Sequence, residues 1–364
     1  MLLMGSCSSN DTGEGPRKPT MLTVYVYSPE NPVITRADIG PVDAMYRENV
    51  VKKLQIWIFE SETEAKVGYL NTTETATLNL GTGEVYQLEV SDNFAQRKPA
   101  VDVYVFANVT ENTCGQSFDE DSTPDDLNDA IINESHFGLA SSTTAVPDDG
   151  LPMSGILKEQ PVIGEAPVLR IGNERNIATA PLTRAVSKLR FIFANTQESG
   201  EKTTPELTIK SITIDKEMMP KTEYLIPRTV DRTADDYNKS AVTLWSGSST
   251  AAPIEDPTVY IYDDQSAQAY EDLITTAIGQ GELTSHGPYY LRESDKRLTG
   301  TITYQIGSNA EKTTAFAMSA AGDFLRNHSW IVYAYHAGGG FLQLETLYLK
   351  DWTTKTVSHE VYNW

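Results

Sequence analysis

A two-residue alternation of apolar and polar side chains, recurring in short runs broken by turn-forming residues, constrains this chain more than any other feature. Leu22, Val24 and Val26 alternate with Thr23, Tyr25 and Tyr27. Successive side chains of a strand point to opposite faces, so such a run has one face to bury and one to leave wet. The same character returns in Val51–Phe59, in Val85–Val90 after the Gly81-Thr82-Gly83 turn, in Val101–Asn108 and in Leu207–Ile214. Asn108 suits a turn at the end of its strand. Trp330–Tyr335, then Gly338-Gly339-Gly340, then Phe341–Glu345 reads as a hairpin, and Val357–Trp364 is strand-like again. Ser246–Pro253 reads as a low-complexity loop. Helix signals are few: Pro124–Ile132, with its Pro-Asp start, and an amphipathic pattern over Gln265–Ala277. Many short strands with few helices predict a mainly β chain built as β-sandwiches.

The chain has 364 residues, 40% of them hydrophobic, which is enough to fill two such cores. Asn173–Thr183 is polar and punctuated, and it opens onto a new core strand from Arg184 to Ala194. The expected division is therefore a first sandwich over residues 20–183 and a second over 184–364, with residues 1–19 ahead of both. Within those leading residues, a short apolar run followed by Gly5-Ser6-Cys7 reads as the end of a bacterial lipoprotein signal. Cys7 is the candidate lipidation site, and the lack of a positive n-region leads to the expectation that Met1 lies inside the full signal or that the signal has been trimmed. Ser8–Pro19 is a flexible polar tether. No stretch approaches the roughly 20 apolar residues of a spanning helix, so the expected membrane connection is the N-terminal lipid alone. With Cys7 so used, Cys114 has no partner, and neither a disulfide framework nor a Cys/His metal site is expected. The net charge of −21 argues against nucleic acid as a partner.

Catalytic constellations do not emerge. His136, His286, His328, His336 and His359 are scattered, and no pair has the i, i+4 spacing of a helical zinc motif. The chain carries 50 carboxylates, so any two could be imagined as a glycosidase pair without specificity. Asp119–Asp126 is oxygen-rich and could hold Ca²⁺, but it lacks the glycine and closing Glu of an EF-hand loop. Acids ahead of a helix also simply favour its dipole. No catalytic, cofactor or metal residue is assigned, and no cofactor is expected. The remaining distinctive site is Ile34-Thr35-Arg36-Ala37-Asp38, between the breaker-rich Ser28–Pro32 and a polar stretch. Arg184-Ala185 repeats the dipeptide but leads straight into a core strand, which makes it the poorer protease site.

Three segments taken in order resemble one family. Residues 20–60 pair a strand, the Arg36-Ala37 junction and the strand Leu54–Phe59; residues 181–194 run Pro-Leu-Thr-Arg-Ala-Val-Ser-Lys-Leu-Arg-Phe and onward; residues 323–352 carry Arg326-Asn327-His328, a hairpin and Asp351-Trp352. Leu151-Pro152-Met153-Ser154-Gly155 fits the same pattern, whereas Asn238–Gln280 does not. From Thr20 to Trp364 the chain resembles the fimbrillins of the major-fimbrium type, subunits of type V pili. The resemblance implies two transthyretin-like β-sandwich domains in tandem with a few short helices. It implies export as a lipoprotein lipidated at Cys7, and a cell-surface, outer-membrane location. It also implies a cut between Arg36 and Ala37 by an arginine-specific surface protease, removing the first strand within residues 20–36. The vacated groove would then take a strand from another pilus subunit, with the C-terminal segment as the expected donor.

Elementary physics agrees with strand exchange. A sheet missing a strand exposes backbone donors, acceptors and an apolar row, all of which a strand from another chain can cover. Such head-to-tail contacts do not close, so they build filaments. The donor candidate Val357–Trp364 puts His359 and Asn363 on the face of Val357 and Val361, which is less apolar than the row it would replace. A non-polymerising tip adhesin, or a surface lipoprotein binding a host or bacterial glycan or other ligand, is the alternative. A secreted hydrolase is a third class. Arg326 is expected to pair with an acid, and Asn327 and His328 to satisfy backbone groups at a turn.

Overall fold

A computed structural model describes residues 18–27, 51–73, 84–133, 146, 150–175, 177–197, 204–262, 267–318, 320–337, 341–349 and 357–362. The strands of the first part are β1 Thr20–Tyr27, β2 Lys53–Glu60, β3 Lys66–Thr73, β4 Glu84–Val90, β5 Val101–Ala107, β6 Met153–Gln160, β7 Val162–Glu165, β8 Val168–Ile171, β9 Thr179–Pro181 and β10 Thr183–Arg184. The later strands are β11 Ser187–Thr196, β12 Leu207–Ile214, β13 Val242–Ala251, β14 Pro253–Ile254, β15 Thr284–Leu291, β16 Thr299–Ile306, β17 Lys312–Ala317, β18 Ser329–His336, β19 Leu342–Leu349 and β20 Val357–Tyr362. Helices are short: α1 Asp92–Arg97, α2 Glu111–Cys114, α3 Pro124–Asn128 and α4 Ala267–Gly279. The protein is mainly β, as the alternation predicts.

Four sheets result. Two run β4-β1-β8-β7, with β9 also on β1, and β10-β6-β5-β2-β3. The other two run β14-β11-β18-β19-β20, with β15 also on β11, and β13-β12-β16-β17. Every strand through Arg184 lies in the first two sheets and every strand from Ser187 on lies in the last two. A core of Leu22, Val24, Val26, Leu54, Ile56, Ile58, Leu88, Val103, Val105 and Leu169 fills the space between the first pair. A second core, with Phe191, Phe193, Ile209, Ile212, Ile302, Tyr304, Trp330 and Val332, does so between the last pair. Two further clusters cover outer faces. One packs Trp57, Phe59, Tyr104 and Phe106 under the α2–α3 region together with Leu225, Ile226 and Tyr290. The other packs α4 residues Tyr270 and Ile274 on Ile192, Ile331 and Tyr333.

Local chemistry explains the elements. In β2 the residues Leu54, Ile56 and Ile58 face one core while Trp57 and Phe59 face another, so both faces are buried and the run reads as nearly continuous apolar sequence. Asn108 ends β5 at φ 58°, a left-handed conformation that Asn tolerates better than most residues. Its side chain donates to the Leu151 carbonyl at 3.0 Å. Helix α3 opens with Thr123 as N-cap, Pro at the first turn and a reciprocal bond to Asp126. One expectation is overturned: Ser246–Pro253 is not a loop. Val242–Ala251 is a ten-residue strand paired antiparallel with β12, and Pro253–Ile254 pairs β11. At a sheet edge the backbone ladder holds small polar side chains that need no core of their own.

Candidate functional site

β1 is the candidate site, because of where its backbone lies. It pairs antiparallel with β4 from Thr20↔Val90 to Val26↔Glu84. On its other edge it runs parallel to β8 over Met21–Thr23 and parallel to β9 over Tyr25–Tyr27. The Met21 amide also donates to the Pro167 carbonyl at 2.9 Å. The N-terminal strand is thus central, hydrogen-bonded along both edges. Leu22, Val24 and Val26 are 0%, 1% and 0% exposed and point into the core. Met21 and Tyr25, on the opposite face, are half-buried. Without β1 the sheet would come apart into β4, the β7–β8 pair and β9, which pairs only with β1, above a cleft lined by Leu54, Ile56, Leu88 and Leu169.

The second pair of sheets repeats this arrangement. β11 lies between antiparallel β15 and parallel β18, as β1 lies between antiparallel β4 and parallel β8. What differs is the lead-in. β10, immediately before β11, is paired to β6 through Thr183↔Ser154 and Arg184↔Met153. Arg184 is 2% exposed, donates to Asn327 Oδ1 at 3.1 Å, and is pushed down to about 9 by burial. A protease must draw an extended segment around the arginine into its cleft, so this Arg-Ala bond is shielded in the folded chain. Between β1 and β2, by contrast, residues 28–52 bridge two different sheets. Arg36 and Ala37 fall in that connection, outside the described residues, as do Cys7, most of the tether, Gly338–Gly340, Asp351-Trp352 and Trp364.

β20, the expected donor, lies in its own chain's third sheet. It pairs antiparallel with β19 from Leu344↔Tyr362 to Leu349↔Val357, and its other edge carries no strand among those described. Arg326 behaves as the sequence suggests: it pairs with Glu293 and Glu223 at 2.8 and 2.6 Å. Asn327 takes φ 59° at the turn and His328 Nδ1 lies 3.3 Å from the Asp323 carbonyl. The partners Glu223 and Glu293 carried no sequence signal, since nothing local marks two acids far apart in the chain as neighbours.

The acidic loop spends its oxygens on local structure. Asp126 accepts from the Thr123 amide and hydroxyl, Asp119 Oδ1 accepts from the Asp121 amide, and the Asp119 carbonyl accepts from Trp57 Nε1. No group of three His, Cys, Asp or Glu among the described residues could hold a metal ion. Cys114 is a free thiol that burial pushes up to about 12, well away from nucleophilic reactivity. No helix among the described residues is long and apolar enough to cross a membrane.

No curated protein sequence matches the chain. The tip fimbrial protein Mfa3 of Porphyromonas gingivalis is similar in structure over 95% of this chain and 100% of its own, with 12% identity and a TM-score of 0.47. A candidate cell adhesion protein of Parabacteroides distasonis is similar over 90% and 96%, with 12% identity and a TM-score of 0.49. The fimbrial anchor protein Mfa2 of Porphyromonas gingivalis is similar over 90% and 97%, with 8% identity and a TM-score of 0.36. In sequence, residues 35–173 match the family described as major fimbrial subunit protein (FimA), a family of fimbrial subunits rather than enzymes. The resemblance read from the sequence is thereby borne out: over residues 35–173, which span β2 to β8, this chain matches the major fimbrial subunit family.

Proposed function

We propose that the chain is a subunit of a cell-surface fimbria, exported as a lipoprotein through Cys7, cut between Arg36 and Ala37, and assembled with other subunits by strand exchange at the β1 position. One observation carries the reading. β1 closes a core and is bonded on both edges, yet it joins β2 only through the long connection that holds Arg36. A cut there turns an intramolecular strand into a replaceable one, because the covalent link is lost while the pairing sites stay intact. The shielded Arg184 supports a single productive site, since β11 stays tethered through β10 and β6. Two sandwich domains, residues 20–183 and 184–364, would make the first the acceptor and the second the carrier of the donor β20. Repeated head-to-tail, such contacts build a filament.

A second reading has an observation of its own. β20 is docked on β19 of its own chain, so it is not presented as an extended donor. A terminal subunit that accepts but does not donate, or a monomeric surface lipoprotein with a glycan or other ligand, would keep it there. Digestion with an arginine-specific protease separates the two, read by N-terminal sequencing and gel filtration beside an Arg36→Ala control. A new N-terminus at Ala37 with high-mass, heat-sensitive species is expected. Cleavage at Arg36 with the protein remaining monomeric refutes polymerisation and favours the terminal subunit.

A further inference from the structure

Where the two pairs of sheets meet, residues 219–228 cross between them as a strap. Met219 sits in the core of the last two sheets, while Leu225 and Ile226 sit in the cluster with Trp57 and Phe106 of the second sheet. The strap is stitched to the first part of the chain by a backbone bridge. The Leu225 amide donates to the Ala130 carbonyl at 2.8 Å, and the Ile132 amide donates to the Glu223 carbonyl at 2.8 Å. Ser154 Oγ adds a bond to the Leu225 carbonyl at 2.7 Å.

At the centre of the strap is a buried ionic cluster. Arg326, 6% exposed, donates through Nη1 to the Leu225 carbonyl at 2.9 Å. Through Nη2 it donates to the Tyr224 carbonyl at 2.9 Å and to Glu223 Oε1 at 2.6 Å. Its Nε donates to Glu293 Oε1 at 3.0 Å and its amide to Glu293 Oε2 at 3.1 Å. Glu223 is 2% exposed and also meets Arg232 at 3.3 Å. The groups facing Glu223 are therefore Arg326, Arg232 and the second carboxylate, Glu293.

We propose that Glu223, Glu293 and Arg326 form a proton-dependent latch that clamps the 219–228 strap across the junction between the two pairs of sheets. Arg326 satisfies Glu293 with three of its donors, counting its amide, and holds that carboxyl below the usual range. Glu223 accepts from Arg326, from Arg232 and from the Tyr224 amide, but it is almost fully buried and its Oε1 shares the Arg326 Nη2 donor with Glu293 Oε1, which brings the two carboxylates side by side. Burial first, and the charge of Glu293 second, push Glu223 up to about 7. A proton on Glu223 lets the two acids share a hydrogen bond instead of repelling each other. The sign follows from linkage. Opening the strap would return the carboxyl to the ordinary carboxylate range, whereas burial and Glu293 hold it well above that range when the strap is closed. The closed strap is favoured most at low pH and loses that preference as pH rises through about 7.

Hydrogen exchange at the Leu225 and Ile132 amides reads the strap directly, because both bonds break when it lifts. After correction for intrinsic exchange, protection at both should fall by about ten- to a hundred-fold between about pH 5 and about pH 8, with the amides of β18 unchanged. In Glu223→Gln the strap should hold a constant protection across that range. Protection in the unsubstituted protein that does not change with pH overturns the latch without need of any variant. So does a Glu223→Gln protein that keeps the same pH dependence, which would mark the cluster as purely structural.

Discussion

Truncating Leu22 to Ala tests whether β1 is held by its apolar row. The side chain is 0% exposed, packed in the core between the first two sheets, and the residue stands in register with Leu88 on one edge and Leu169 on the other. Burying an aliphatic side chain of this size contributes about 1.5–3 kcal/mol, and the row of Leu22, Val24 and Val26 therefore roughly 5–9 kcal/mol as an upper estimate. Leu22→Ala loses the transfer term and leaves a cavity, so it should cost about 2–5 kcal/mol in urea denaturation of the intact chain. Met21→Ala, on the half-buried outer face, should cost about 0.5 kcal/mol or less. In a chain cut at Arg36, the same loss falls on the noncovalent hold on the released strand. There it should weaken retention by about thirty- to several-thousand-fold, since each 1.4 kcal/mol is a factor of about ten. Gel filtration of the nicked protein with mass analysis of the retained peptide measures this. A Leu22→Ala protein no less stable than Met21→Ala, or a nicked protein that keeps both peptides equally, refutes the claim that the row holds the strand.

Other expectations follow from the same structure. Prolonged arginine-specific digestion of the folded protein should yield no N-terminus at Ala185, because Arg184 is 2% exposed; its appearance before global unfolding would show that the junction opens. Gly300→Ala should destabilise by about 1–3 kcal/mol, since a Cβ there would lie 2.3 Å from both Phe316 Cζ and the Thr213 carbonyl oxygen. Gly281 has nothing within 4 Å, but its φ of +76° makes Gly281→Ala a backbone-strain control in the same thermal melts. Asp102 accepts from the Glu159 amide, the Ser61 hydroxyl and Lys158 at 2.7–2.8 Å, and these bonds hold its carboxyl below the usual range. Its stabilising effect is present above the ordinary carboxylate pKa and is lost as pH falls through the lowered one. The melting-temperature gap between the unsubstituted protein and Asp102→Asn should be widest near neutrality and close in strong acid, and a gap independent of pH would refute it.

Much of the architecture is legible in the residues because alternation encodes one-sided burial. β12 begins and ends where Leu207–Ile214 predicts, and β1, β4 and β5 follow their apolar rows. The elements that escaped reading are those whose sequences carry no burial signal. β13 runs through Ser246-Gly247-Ser248-Ser249-Thr250 at an edge after its short apolar start at Val242 and Leu244. The capping serine of α1 precedes just six helical residues, too short for a period to show. Arg36 stood out by its breaker-rich surroundings, whereas the shielding of Arg184 depends on Asn327, far away in sequence.

By itself the sequence determined the β class, the apolar row of the first strand and, over residues 35–173, a match to the major fimbrial subunit family. Those are properties of local pattern, which survive in one dimension. Tertiary structure alone decided that β1 lies between antiparallel β4 and parallel β8 and β9, that β20 docks on β19, and that Glu223, Glu293 and Arg326 meet at the strap. Pairing partners and buried charge clusters depend on which distant segments the packed sheets bring together, and the ladder's hydrogen bonds come from a backbone that every residue shares.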